Sequence, residues 1–352
     1  MLANSHALFA ELRVLAAQQQ PGNDWSDAQV DLDALRIDGR KVRPVVRLDG
    51  RSARLDSKDI ATHSARVIAD WRAAGVSVDG IEIDFDAAPA RMGEYAQLLD
   101  ALRAELPRDA VLSIGVPPDW IGATGLPALL DRADEAVLQL HAVGDPAQVL
   151  FDPQRAAQRI AQFGASTKKP FRIALPSYGS ALDAAASAGS DSAMQPGEHH
   201  QLDADPAAMA KLLRDLERTH PAGLQGVLWF RLPLPGDRRA WPLATLAAVI
   251  DAQPLQAKLI ADAHADSDGA FDLQVSNRGT LEAALPAQVE VATSACPDAS
   301  ADPLPGYRVE PGKDVLRFVR ETDARLPASQ TRELGRIIHC PPLTASNLHV
   351  RP

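Results

Sequence analysis

Val78-Asp79-Gly80-Ile81-Glu82-Ile83-Asp84-Phe85-Asp86 alternates acidic with apolar side chains. In a β-strand successive side chains point to opposite faces, so Glu82, Asp84 and Asp86 line one face and Ile81, Ile83 and Phe85 the other. Carboxylates repeated at i, i+2 and i+4, roughly 7 Å apart, repel one another. A strand with an ordinary wet face carries Thr, Ser or Lys there instead, so this face is read as a functional one.

Working outward, the acidic run is one of seven strand-like segments, which begin at Leu12, Pro44, Gly80, Leu112, Val137, Arg172 and Val227. Amphipathic helical stretches lie among them at 57–74, 90–106, 126–133, 153–163, 206–218 and 241–250, with Gly75 and Pro107 as stops. Strands that alternate with helices imply parallel βαβ units. The expected fold is an α/β (β/α)8 TIM-type barrel that lacks its first strand, which would lie upstream of Met1 and make the acidic strand the fourth. The rival is an open doubly wound sheet. Residues 18–27 read as a polar loop. The Gly/Ser/Ala-rich stretch 179–198 follows a strand and is a candidate lid.

Past residue 255 the pattern changes to short alternating segments at 270–275, 287–291, 306–309, 315–319 and 336–340, separated by turn residues. The expected organisation is a barrel over 1–254 and a small antiparallel β-sandwich over 255–352. Cys296 and Cys340 both fall in this tail; they form either one disulfide in an oxidising compartment or two buried thiols.

The 46 acids against 36 Lys and Arg give a net charge of -10, which disfavours nucleic acid and anionic lipid as partners. No apolar run reaches the roughly 18 residues a transmembrane helix needs. Residues 1–10 carry no basic segment followed by an apolar core, so no secretory signal stands at this start. A start upstream would account for that, and a periplasmic or extracellular location is expected. No cofactor or metal motif is evident, and nothing indicates the oligomeric state.

Residues 79–86 resemble the fourth-strand signature of glycoside hydrolase family 18, whose acids stand at the first, fourth, sixth and eighth positions, here Asp79, Glu82, Asp84 and Asp86. The resemblance implies that Asp86 is the general acid and that Asp84 orients and stabilises an acetamido group of the substrate. The chain departs from the family in two places. Asp86 replaces a glutamate and reaches roughly 1.5 Å less far, and Gln139 and His141 stand where the family places a tyrosine. Chitinase activity is therefore not carried over. The blocks 82–86, 138–143, 170–179 and 229–233 resemble more closely those of an uncharacterised bacterial family, catalogued only as a domain of unknown function, number 3142. That resemblance runs from about Arg13 to Leu246 and implies a glycosidase-like barrel with an extra first strand and a β-rich tail.

On a barrel, chemistry gathers at the C-terminal strand ends. Alternation places Arg47, Asp49, Ser113, Gln139, His141, Tyr178, Trp229 and Arg231 at the same mouth as Asp84 and Asp86. Trp229 is the expected plate for a sugar face. Glu82 sits deeper, as a buried partner that tunes Asp84. The functional expectation is a glycoside hydrolase-like protein acting on polysaccharide or glycan. The alternatives are an inactive carbohydrate-binding barrel and, more weakly, a metal-assisted hydrolase using Asp84, Asp86 and His141. An ion-pair network with Arg47 and Arg231 that seals the two aspartates would end the catalytic reading.

Overall fold

The computed structural model describes residues 2–20, 22, 24–51, 54–140, 151–178, 204–234, 237, 240–266, 269–340 and 343–351. By their internal contacts the residues divide into two compact units, Met1–Trp241 and Pro242–Pro352.

The first unit is built on strands β1 (Glu11–Gln19), β2 (Trp25–Asp27), β3 (Lys41–Leu48), β4 (Gly80–Phe85), β5 (Val111–Val116), β6 (Glu135–Gln139), β7 (Phe171–Pro176) and β8 (Leu224–Phe230). Seven of them run parallel in consecutive order β1-β3-β4-β5-β6-β7-β8; β2 is a three-residue antiparallel partner of β1. An order without reversal is that of a barrel, whereas a doubly wound sheet switches direction. The sheet also curls. Arg172 Nε on β7 lies 3.8 Å from Glu11 on β1, although five strand steps along a flat sheet would separate these strands by roughly 24 Å. Outside the sheet lie α1 (Leu2–Ser5), α2 (Leu32–Asp38), α3 (Ser57–Ala73), α4 (Met92–Glu105), α5 (Leu126–Arg132), α6 (Pro153–Ser166) and α7 (Pro206–Thr219). Local chemistry starts them: Asp31, Asp56, Asp152 and Asp205 accept from backbone N–H groups of the first turns, and proline follows two of these caps directly.

The polar stretch 18–27, expected to be a loop, contains the end of β1 and all of β2. β2 is too short to show a period. It is held from outside the sheet, where Trp25 stacks on His63 of α3 at 3.9 Å and donates to Asp59 at 2.8 Å.

Among its described residues the second unit holds α8 (Leu243–Ile250) and ten strands: β9 (Leu259–Ala265), β10 (Phe271–Asn277), β11 (Ala283–Ala284), β12 (Gln288–Ala292), β13 (Ser300–Pro303), β14 (Tyr307–Gly312), β15 (Val315–Arg320), β16 (Arg325–Leu326), β17 (Thr331–Ile338) and β18 (Leu348–Arg351). Two four-stranded antiparallel sheets, β13-β17-β10-β9 and β14-β15-β12-β18, share one core. Leu273 and Val275 come from one sheet and Val289, Val291 and Phe318 from the other, which makes a β-sandwich. A disulfide joins Cys296 and Cys340, whose Cα atoms are 4.9 Å apart. Among the described residues no helix is long and apolar enough to cross a membrane.

Candidate active site

Strand pairing fixes which side chains share the barrel interior. Arg47 lies beside Asp84, Glu82 beside Ser113, Ser113 beside Glu135, and Gln139 beside Ala174. The interior therefore has two polar layers, one at each end of the strands.

The N-terminal layer is a dense ion network. Arg13 reaches Glu82 and Glu135; Arg43 pairs with Asp79 at 2.8 Å and Glu135 at 2.7 Å; Arg172 pairs with Glu135 at 2.9 Å. Ser113 Oγ donates to Glu82 at 3.2 Å. Burial alone would push Glu135 up, but Arg13, Arg43 and Arg172 overcome it and hold the carboxyl down at about 2. Glu82 belongs to this layer through Arg13, and its charge also acts on Asp84 above it.

The C-terminal layer is the mouth. Asp84 is half-buried and accepts from Gln139 Nε2 at 2.7 Å, while Arg47 Nε stands 3.7 Å from its other oxygen. Gly115 makes room for this contact, since a Cβ there would lie 2.7 Å from Gln139 Nε2 and 3.2 Å from Asp84 Oδ1. Burial first, and then the neighbouring Asp86 charge, raise Asp84 to about 7, against the opposing pull of Arg47 and Gln139. Asp86 lies just past the end of β4, with its side chain 43% exposed, and pairs with Arg47 Nη2 at 3.2 Å. The two carboxylates are thus joined by one guanidinium but left open to solvent.

The remaining expected residues are placed differently. Asp49 pairs with Arg51 at 3.1 Å, and that contact holds its carboxyl below the usual range. Arg231 pairs with Asp237 at 2.7 Å and not with either mouth aspartate, so it does not seal them. Tyr178 is 1% exposed and lies edge-on to Phe230, their ring centroids 5.7 Å apart. Ser113 sits in the lower layer. His141 and the stretch 179–198 lie outside the described residues.

Trp229 requires a correction. The pairing of β7 with β8 skips Gln225, so Arg172 lies beside Gly226, Leu175 beside Trp229, and Pro176 beside Phe230. This one-residue bulge reverses the alternation beyond it. Leu175 is fully buried on the outer face, and Trp229 shares that face near Trp241, at 6.2 Å. The mouth aromatic is Phe230, 45% exposed.

Residues 38–235 match the family model described as Domain of unknown function (DUF3142), more than half of the chain. The chain belongs to that family. In this DUF3142 member, residues 260–340 match a second model, Domain of unknown function (DUF8456). No curated protein matches the chain. Among solved structures it is similar to a chitinase from Bacteroides thetaiotaomicron, with 10% identity, TM-score 0.47, and 64% of this chain and 82% of that chain covered. It is also similar to the spore cortex-lytic enzyme SleL of Bacillus cereus, with 13% identity, TM-score 0.44, and 66% of this chain and 68% of that chain covered. For a GH18 chitinase from Flavobacterium johnsoniae the values are 14%, 0.39, 65% and 85%. Likenesses this distant say nothing of the chemistry, which is argued from the mouth residues themselves.

Proposed function

We propose that the barrel acts on polysaccharide or glycan as a glycoside hydrolase, with Asp84 and Asp86 as its acid/base pair. One observation carries the reading: at a solvent-open strand mouth, a half-buried aspartate raised to about 7 stands beside an exposed one, with Arg47 between them. Two carboxyl groups in unlike environments, held close enough to oppose each other's ionisation, retain one proton near neutral pH. Asp84, the member raised to about 7, holds that proton. It passes to Asp86, the outer member, which donates it to the leaving glycosidic oxygen, and Asp84 is left with the negative charge that stabilises the positive charge developing on the sugar. Phe230 offers an apolar plate for the sugar ring, and Gln139 and Arg47 offer donors.

The second reading, a barrel that binds sugar without cleaving it, draws on the Arg47–Asp86 contact at 3.2 Å, which ties up an acid already one methylene short. The metal-assisted reading gains nothing from the described residues, in which no group of three or more His, Cys, Asp and Glu side chains could hold an ion. The guanidinium of Arg47 occupies the position between Asp84 and Asp86 that a cation would need. The Cys296–Cys340 bridge supports a periplasmic or extracellular setting.

A screen of aryl-glycosides and cell-wall polymers, run in parallel with Asp86→Asn and Asp84→Asn, tests the proposal. Turnover by the wild type that falls roughly 100-fold or more in either variant is expected. Saccharide binding without turnover, unchanged in Asp86→Asn, assigns the barrel to the binders. Turnover abolished by a chelator and restored by a divalent ion assigns it to metal chemistry.

A further inference from the structure

β4 ends at Phe85, so Asp86 stands beyond the last ladder bond with no strand neighbour to place it. The end of β3 and the turn that follows it hold it at two points. Arg47 Nη2 meets its carboxylate at 3.2 Å. Gly50 packs so closely on its backbone that a Cβ there would overlap the Asp86 carbonyl oxygen and lie 2.7 Å from its carbon. Gly50 is itself fixed, because Arg91 Nη1 donates to its carbonyl at 2.8 Å. Arg91 lies on the 3-10 turn Pro89–Arg91 after β4, is bonded to Glu94 at 2.7 Å, and places its guanidinium 5.1 Å from the ring centre of Phe85, the residue before Asp86. From the other side Trp120 Nε1 donates to the Ala87 carbonyl at 2.8 Å. Besides Arg47, the chain from 85 to 87 is therefore pinned on both flanks by Gly50, Arg91 and Trp120.

We propose that Arg91 and Gly50 are positioning residues for Asp86: Arg91 fixes the Gly50 carbonyl, and Gly50 seats the Asp86 backbone so that its carboxylate meets Arg47 beside Asp84. The inference rests on the acid-pair reading of the mouth. For an acid one methylene short, reach is set by where its backbone is held, and this strut sets it.

Carboxyl 13C NMR titration of Asp84 reads the strut without any substrate. Asp84 is faced by Asp86, Arg47 and Gln139, by Glu82 below and by the buried Tyr95 hydroxyl. In Gly50→Ala and Arg91→Met, Asp86 withdraws and Arg47 is released toward Asp84. Both changes favour the charged form, so the Asp84 midpoint falls by roughly half a pH unit or more. Arg91→Lys keeps a donor for the Gly50 carbonyl and moves the midpoint back toward wild type. On any substrate turned over, Arg91→Met loses roughly 10-fold or more in kcat with little change in KM. If Gly50→Ala does not fold, Arg91→Met decides alone. An unshifted Asp84 in folded Arg91→Met, or Arg91→Lys no better than Arg91→Met, overturns the proposal. Because the titration needs no turnover, a barrel that hydrolyses nothing can still pass it, which separates failure of the strut from failure of the hydrolase reading.

Discussion

Asp84, the inner carboxyl of the proposed acid pair, also burdens the fold. Its folded value of about 7 stands above the 3.8 of a free aspartate. Between those two values the folded chain keeps a proton that the unfolded chain releases, so the contribution of Asp84 to stability is complete below about pH 4 and is lost as pH rises toward 7. Above 7 the folded barrel carries a desolvated charge beside Asp86 and above Glu82. Asp84→Asn removes that charge, and the variant is expected to melt several degrees above wild type at pH 8, with the gap closing toward pH 4. A gap that does not change with pH contradicts the raised value. The cost of the native residue is at most on the order of 4 kcal/mol, the kind of strain that functional sites hold and stability alone would remove. At this scale the sequence was informative where residues are close along the chain: the i, i+2, i+4 acids Glu82, Asp84 and Asp86, on β4 and just past its end, stand out directly. Phe230 stayed hidden because the bulge at Gln225 turns the face by one residue; Gly226 beside it is the one local sign, since an isolated strand glycine often marks a bulge.

Among the elements, the strands were legible and their charged footing was not. The segments beginning at Pro44, Gly80, Leu112, Val137 and Arg172 became β3 to β7 almost residue for residue, because the face each turns outward keeps an apolar residue at every second position. Arg13, Arg43, Glu135 and Arg172 read singly as unremarkable strand-end charges, since their partners lie far along the chain; Arg13 meets Glu135 122 positions on. Joined, they hold the N-terminal ends of β1, β3, β6 and β7 together. Glu135→Gln leaves three arginines without their shared carboxylate, a change expected to cost about 3–5 kcal/mol. At roughly 2–4 °C per kcal/mol, the melting temperature of the barrel should fall by roughly 10 °C. The pH signature runs opposite to that of Asp84. With Glu135 held down at about 2 against 4.5 when unfolded, its contribution is complete above 4.5 and lost as pH falls toward 2. Wild type should lose stability over that window, and Glu135→Gln should lose markedly less; equal acid profiles would mean the network does not support the barrel.

At the scale of the whole chain, the change of pattern past residue 255 falls inside the second compact unit, which begins at Pro242 and takes in α8, and that unit is where a covalent bond matters. That unit relies on small apolar faces of short strands, several of them, such as β11, β16 and β18, too brief to show in the sequence. The Cys296–Cys340 bridge closes a loop of 44 positions, and restricting an unfolded loop of that length is worth about 4 kcal/mol in the chain-entropy account. A small sandwich has little stability in reserve, so reduction should be felt locally. All five tryptophans of the chain lie before Pro242, so tryptophan fluorescence reports the barrel alone, whereas calorimetry reports both units. With dithiothreitol the calorimetric transition of the sandwich is expected to move down by roughly 10 °C or more, while the fluorescence midpoint stays in place. The Cys296→Ser/Cys340→Ser double variant should reproduce the shift without reductant. If the two signals descend together, the bridge supports more than its own unit; if neither moves, the sandwich core is sufficient without it.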